Sequence, residues 1–205
     1  FYRLASSIYN NQRKYDEAAE VLEDALVAFP KDVNLMLELA QSYLTQGEYE
    51  QVLVLFDRIE EKTGPDPDIS QRRVEIYRFT KENEKALEAL KQMIEDFPLA
   101  TEPKEQYVKM LIQMGREEEA VAVLENSLKD NPGDGFALFS LIQYYEEHDQ
   151  KEKAAKLKRQ AFNNPSVPLN VKMQYLVELM RVAENDADEA EITQYIQRLY
   201  EENPD

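Results

Sequence analysis

The sequence has no cysteine, no tryptophan, only 5 glycines and a single histidine. Without cysteine there is no disulfide, no thiolate nucleophile and no zinc–thiolate site. That absence leaves the compartment open, because cytoplasm and periplasm are both compatible with it. Five glycines and 9 prolines in 205 residues leave long stretches free of helix breakers. Long apolar runs are missing too. Val52–Phe56 is typical of the longest, against the roughly 20 residues needed to span a bilayer. Lys and Arg are scarce, 24 against 41 Asp and Glu, for a formal charge of −17. A chain so acidic is poorly suited to phosphate backbones or anionic lipid surfaces. Its acidity has two readings: a solubilising coat, or a preference for basic partners. No signal peptide or lipidation motif is visible. The chain begins at Phe1 without a methionine, so an upstream repeat or linker is expected to precede it.

What is present is a regular punctuation. Hydrophobic residues at 43% and charged residues at 32% suit a soluble folded protein. Pro30, Pro65, Pro98, Pro132, Pro165 and Pro204 follow one another at intervals of 35, 33, 34, 33 and 39. Proline cannot continue a helix, so each marks a helix end or the turn beyond it. Between prolines lie paired amphipathic segments, broken by short polar turns such as Gln46-Gly47, Lys81-Glu82-Asn83, Met114-Gly115-Arg116 and Glu147-His148-Asp149. The apolar positions recur at helical spacing, as in Tyr15, Ala18, Ala19, Leu22, Ala25 and Leu26. Ala18, Ala86, Ala120 and Ala154 hold one small position in the second helix, where helices can approach closely. Leu22, Leu90 and Leu124 follow four residues later, with Val52 and Phe56 as the equivalents in the second unit. A repeat of this length, two helices per unit, predicts a stack in which each hairpin buries its apolar face on its neighbours.

These features resemble the tetratricopeptide repeat: an aromatic near the end of helix A, glycine in the turn, alanine in helix B and proline at the close. Tyr9, Tyr43, Tyr77 and Tyr145 match the aromatic, with Leu111 departing, and the family's tryptophan is absent throughout. The resemblance covers residues 1–165 and fades over 166–205. It implies an all-α, right-handed superhelical solenoid of about six helical hairpins. The five repeats are expected at 1–32, 33–66, 67–100, 101–134 and 135–165, with a degenerate sixth hairpin capping the chain over 166–205. The helices are predicted at 1–11, 15–29, 33–46, 49–62, 68–80, 84–97, 102–114, 117–130, 135–147, 151–163, 168–184 and 188–202.

Catalytic chemistry needs positioned titratable groups, and few are available. His148 falls in an exposed turn. No serine sits in a nucleophile elbow, and no glycine-rich phosphate loop exists. Glu117-Glu118-Glu119 and the Asp186, Asp188, Glu189, Glu191 group lack calcium-loop spacing. Acids in a helix's first turn, facing the positive end of its dipole, account for both. Asp130-Asn131-Pro132-Gly133-Asp134-Gly135 reads as a helix stop, a turn and a new start. The chain is therefore read as non-enzymatic, with no catalytic, cofactor-binding or metal residue and no cofactor.

The resemblance implies a concave groove lined by helix A, where the family binds extended peptides or helices. Carrying the register over gives Asn34, Leu37 and Gln41 in the second repeat, beside Glu38. It gives Gln71, Arg72, Glu75 and Arg78 in the third, Glu105 and Lys109 in the fourth, and Phe136, Phe139 and Gln143 in the fifth. The register of the third repeat could slip by one at the extra residue near Gly64-Pro65. Binding is expected to centre on Arg72, Arg78 and Lys109, cations in an otherwise acidic chain. The two phenylalanines read first as packing between neighbouring hairpins and second as groove contacts. A clamp for a terminal carboxylate is disfavoured, because Glu38 and Asp68 stand where the anion would lie. The chain is thus read as a scaffold binding a protein or peptide, with no nucleic-acid partner and no membrane insertion by this segment. A non-catalytic region of a larger enzyme or regulatory protein, and a self-assembling structural module, are the alternatives. Segments such as Gln12–Ala18 and Leu55–Glu60 also resemble extracytoplasmic tetratricopeptide proteins of Bacteroidetes-like bacteria. That implies a periplasmic or membrane-anchored setting through a removed N-terminal segment.

Overall fold

A computed structural model describes residues 1–165, 167–183 and 186–202, with the side chains at 182, 186–188 and 202 set aside. Pro204, Glu184, Asn185 and the side chains of Asp186 and Asp188 lie outside the described set. The described chain is helical, without strands. The helices are α1 Tyr2–Asn11, α2 Tyr15–Ala28, α3 Val33–Gln46, α4 Tyr49–Thr63, α5 Pro67–Phe79, α6 Asn83–Asp96, α7 Glu102–Gln113, α8 Glu117–Asp130, α9 Gly135–Glu147, α10 Lys151–Asn163, α11 Leu169–Val182 and α12 Asp186–Glu202. Each predicted segment agrees within two residues at either end. The all-α fold of helical hairpins expected from the punctuation is the fold found. Helices α1/α2, α3/α4, α5/α6, α9/α10 and α11/α12 pack as hairpins, while α2/α3 and α8/α9 join successive ones. The chain divides into two compact units, Phe1–Tyr107 and Val108–Asp205, with the division falling inside α7.

The helix ends follow from local chemistry. Asp32 accepts amide hydrogens from Asn34 and Leu35 at 2.9 and 3.2 Å, Asp66 from Asp68 and Ile69 at 2.9 and 3.0 Å, and Asp134 from Ala137 at 3.1 Å. These carboxylates cap α3, α5 and α9 by satisfying amides that the helix cannot. Glu117, Glu118 and Glu119 occupy the first turn of α8. The turns inside the hairpins repeat a left-handed residue every 34 positions: Arg13, Gly47, Lys81, Gly115 and Asp149, with φ of 59, 80, 62, 73 and 55°. Gly47 and Gly115 tolerate that conformation freely, whereas the other three carry a Cβ that opposes it. The 34-residue spacing is unbroken from Gly47 to Lys81, across the extra residue near Gly64-Pro65.

The first unit buries Leu22, Ala25 and Leu26 of α2 against Leu35, Met36 and Leu39 of α3. Val52, Leu55, Phe56 and Ile59 of α4 and Ile69 and Ile76 of α5 complete this core. Phe56 is 2% exposed and Ala18 fully buried, and a buried aliphatic or aromatic side chain of this size contributes about 1.5–3 kcal/mol. Arg73 of α5 reaches back to α4, donating to Asp57 at 2.8 Å and Glu60 at 2.5 Å. Within the second unit, α10 meets the last hairpin through Phe162, Tyr175 and Tyr195, with Phe162 and Tyr195 ring centroids 4.0 Å apart. Lys172 is only 4% exposed, its ammonium 6.0 Å from the Phe162 ring.

Candidate functional site

In the first unit the first helices of successive hairpins are linked by polar side chains. Arg3 of α1 pairs with Glu38 of α3. Arg72 of α5 donates to Gln41 Oε1 of α3 at 3.5 Å, and Gln106 of α7 donates to Gln71 Oε1 of α5 at 3.1 Å. Each partner sits close to one repeat length away, so the bonds run across the face made by α1, α3, α5 and the first half of α7. Gln71 also donates to Glu75 at 3.2 Å within α5. Side chains fixed in this way spend less rotamer entropy when a ligand arrives.

Two clefts open on this face of the unit, and Arg72 lines both. One, of about 440 Å³, is bordered by Leu37, Gln41, Leu44, Asp68 and Arg72. The other, of about 690 Å³, is bordered by Tyr49, Asp68, Gln71, Arg72, Glu75 and Phe79. Arg72 and Arg78 are exposed, and neither forms an ion pair among the described residues. Leu37 is 42% exposed and Phe79 71% exposed, which gives the face apolar as well as charged contacts. Glu38 and Asp68 do carry negative charge onto it, Glu38 engaged by Arg3 and Asp68 at the edge of both clefts.

The twelve residues singled out from sequence divide between the units. Asn34, Leu37, Gln41, Gln71, Arg72, Glu75, Arg78 and Glu105 belong to the first, with Asn34 exposed and Glu105 half-buried. Lys109, Phe136, Phe139 and Gln143 belong to the second. There the Lys109 ammonium lies 5.6 Å from the Phe136 ring, Phe139 is exposed, and Gln143 donates to Glu147 at 2.8 Å. The structure therefore brings Leu37, Gln41, Gln71, Arg72 and Glu75 to one pair of clefts. Lys109 and Phe136 meet each other elsewhere.

Other residues emerged only from the structure. The Tyr43 hydroxyl of α3 donates to Glu23 of α2, and the Tyr145 hydroxyl of α9 donates to Glu125 of α8 at 2.6 Å. Burial, and then the facing carboxylate, push each phenol up to about 12. Both remain neutral hydrogen-bond donors at ordinary pH. The sequence signal was available: the two pairs share a separation of 20 residues and stand 102 residues apart. His148 is exposed at the end of α9. Its ring lies 4.1 Å from that of Tyr144, with Nε2 3.5 Å from Glu117. Among the described residues no three His, Asp or Glu side chains form a cation site, and no helix is long and apolar enough to cross a membrane.

Residues 11–73 match a family model described as tetratricopeptide repeat, a stretch running from the end of α1 into α5. That match supports the tetratricopeptide resemblance over the first hairpins. No curated protein matches the chain. Among solved structures, one described as "Crystal structure of MamA protein" is 18% identical, with a TM-score of 0.49 over 78% of this chain and 87% of that one. Another, "MamA AMB-1 P212121", is 20% identical, with a TM-score of 0.48 over 89% and 96%. A third, "Crystal structure of YrrB: a TPR protein with an unusual peptide-binding site", is 16% identical, with a TM-score of 0.46 over 78% and 82%.

Proposed function

We propose that this chain is a non-enzymatic protein-interaction scaffold that holds a peptide or protein segment against the first-helix face of its N-terminal unit. The observation that carries this reading is Arg72. It is an exposed guanidinium, unpaired with any described carboxylate, shared by two clefts and flanked by the exposed apolar edge of Leu37. A planar guanidinium can hold a partner's carboxylate or backbone carbonyls in two places. Leu37 and Leu44 offer an apolar side chain a place to settle, and Gln41 and Gln71 offer amides to a main chain. The mixture of charges favours a partner that is neither uniformly basic nor uniformly acidic here. Lys109, Phe136, Phe139 and Gln143 extend the proposal to the equivalent first-helix positions of the second unit.

The test is affinity capture from the native extract with the wild type and with Arg72→Ala/Arg78→Ala, followed by titration of the captured partner. The expected result is a partner whose affinity falls by roughly tenfold or more in the double variant, with an unchanged melting curve. Full retention of binding rejects the face. An extracytoplasmic setting is part of the proposal only through the resemblance of Gln12–Ala18 and Leu55–Glu60 to such proteins. Cell fractionation decides it.

A further inference from the structure

The clefts on the first-helix face are not the only ones. On the second helices, the first unit has a cleft of about 570 Å³ between α2 and α4, floored by Leu26, Leu39 and Tyr43. The second unit has its counterpart between α8 and α10, about 440 Å³, floored by Leu128, Leu141 and Tyr145. Every residue lining the second cleft lies 102 positions after one lining the first, down to the Tyr43–Glu23 and Tyr145–Glu125 hydrogen bonds; Glu50 of the first cleft has no such counterpart. The rims differ. Val27, Gln51 and Val54 border the first cleft, and Lys129, Lys153 and Lys156 stand at the same positions around the second.

Three lysines around one apolar floor are unexpected in a chain with 41 acidic and 24 basic residues. The other cations of α10 are neutralised locally. Lys151 pairs with Asp149 at 3.4 Å, Lys158 with Glu146 and with Glu178 at 3.0 Å, and Arg159 with Glu191 at 3.2 Å. The rim lysines have no described carboxylate partner. Lys129 donates to the neutral Asn126 amide at 2.9 Å, and the Lys153 ammonium sits 4.8 Å from the centroid of the Tyr145 ring. Glu125, the one acid in the cleft, is turned to the Tyr145 hydroxyl. A cation whose neighbours are neutral keeps its capacity for a carboxylate from outside.

We propose that the Tyr145 cleft binds an acidic peptide segment of a partner protein. An apolar side chain of that segment rests on Leu128, Leu157 and the Tyr145 ring, and flanking carboxylates reach Lys129, Lys153 and Lys156. This second site is independent of the face around Arg72, and it selects a different chemistry. The α2/α4 cleft, with the same floor, no lysine, and Arg58 as its one cation beside Glu50, is its internal comparison.

The test uses the whole chain against a displayed library of random twelve-residue peptides, followed by titration of the most enriched synthetic peptide. Three proteins are compared: the wild type, Lys129→Glu/Lys153→Glu/Lys156→Glu, and Arg72→Ala. The wild type is expected to enrich peptides with several Asp or Glu around a Leu, Ile or Phe. The triple variant is expected to weaken the best of them by about tenfold or more, with its helical spectrum and melting curve unchanged. Arg72→Ala is expected to leave this binding intact. Failure of the first-helix face in its own assay leaves these outcomes unaffected. Enrichment of neutral or basic peptides, no enrichment, or acidic peptides bound equally by the triple variant overturns the proposal. So does self-association, seen by sedimentation, that the triple variant abolishes while no peptide is enriched, because the occupant is then a second copy of this chain.

Discussion

The hydroxyl of Tyr145 meets the carboxylate of Glu125 at 2.6 Å, and this bond ties the fifth hairpin to the helix before it. Tyr43 and Glu23 do the same 102 residues earlier. The aromatic that the repeat pattern places late in helix A thus serves as a latch between hairpins. It is apolar along the ring and polar at the tip, which suits a site half inside the stack.

The latch makes an alkaline prediction. Tyr43 and Tyr145 titrate at about 12 in the folded chain, against about 10 when unfolded. Stability attached to them is fully present below about 10 and is lost as pH rises towards 12, because only the unfolded chain releases those protons. Tyr175, pushed up to about 12 by burial and then by Glu191, adds to the same window. Absorbance titration of the 12 tyrosines is expected to show a lagging fraction that Tyr43→Phe/Tyr145→Phe reduces. A single uniform transition near 10 in the wild type would contradict the latch.

The left-handed turn positions give a prediction of opposite signs. Lys81 holds φ 62° with a Cβ, while Gly47 holds φ 80° without one. Lys81→Gly is expected to stabilise by roughly 0.5–1 kcal/mol, the relief of strain exceeding the added freedom of the unfolded chain. Gly47→Ala is expected to destabilise by about 1 kcal/mol, although nothing crowds its added Cβ. Chemical denaturation midpoints check both.

Arg73 anchors α5 to α4 more deeply than a surface pair. Its side chain is 17% exposed, and that of Glu60 21%. Burial works against the charge, yet the hydrogen bonds that Arg73 donates to Glu60 and Asp57 raise the guanidinium's pKa above its ordinary value. Arg73→Ala leaves the half-buried Glu60 carboxylate without its charged donor, with only the Ser70 hydroxyl at 3.3 Å remaining, an expected loss of roughly 1–3 kcal/mol. An unchanged melting temperature would show that the contact contributes nothing.

Ala120 is 2% exposed in α8, and Ala18, Ala86 and Ala154 share its place in α2, α6 and α10 at 0 to 2%. Ala120→Trp has no room to be accommodated and is expected to destabilise by about 1–3 kcal/mol or more. The thermal midpoint reads it directly.

The helices were legible because prolines and polar turns stop them and the apolar period fills them, signals carried within a few residues of each end. Pro30, Pro65, Pro98, Pro132 and Pro165 all lie between helices. The small positions were legible because only alanine recurs there. What was hidden is what forms between helices or against residue preference. Nothing in Arg13, Lys81 or Asp149 demands a positive φ, so the shared 34-residue spacing revealed them only beside the glycines. The carboxylates that meet Tyr43, Tyr145 and Arg73 come from neighbouring helices, where sequence distance conceals contact. Of the candidate residues, the register put Leu37, Gln41 and Arg72 together. It could not show that Lys129, Lys153 and Lys156 gather around a tyrosine on the opposite helices.

The most direct measurement is site-specific photocrosslinking from the face around Arg72. A benzophenone amino acid at Leu37, which borders a cleft there, is compared with one at Val27, which is 83% exposed in the α2/α4 cleft. The expected result is a discrete partner adduct from Leu37 that disappears when Arg72→Glu is added and that Val27 does not produce. An adduct from Leu37 that survives Arg72→Glu, or a partner captured from Val27 alone, would contradict binding on this face.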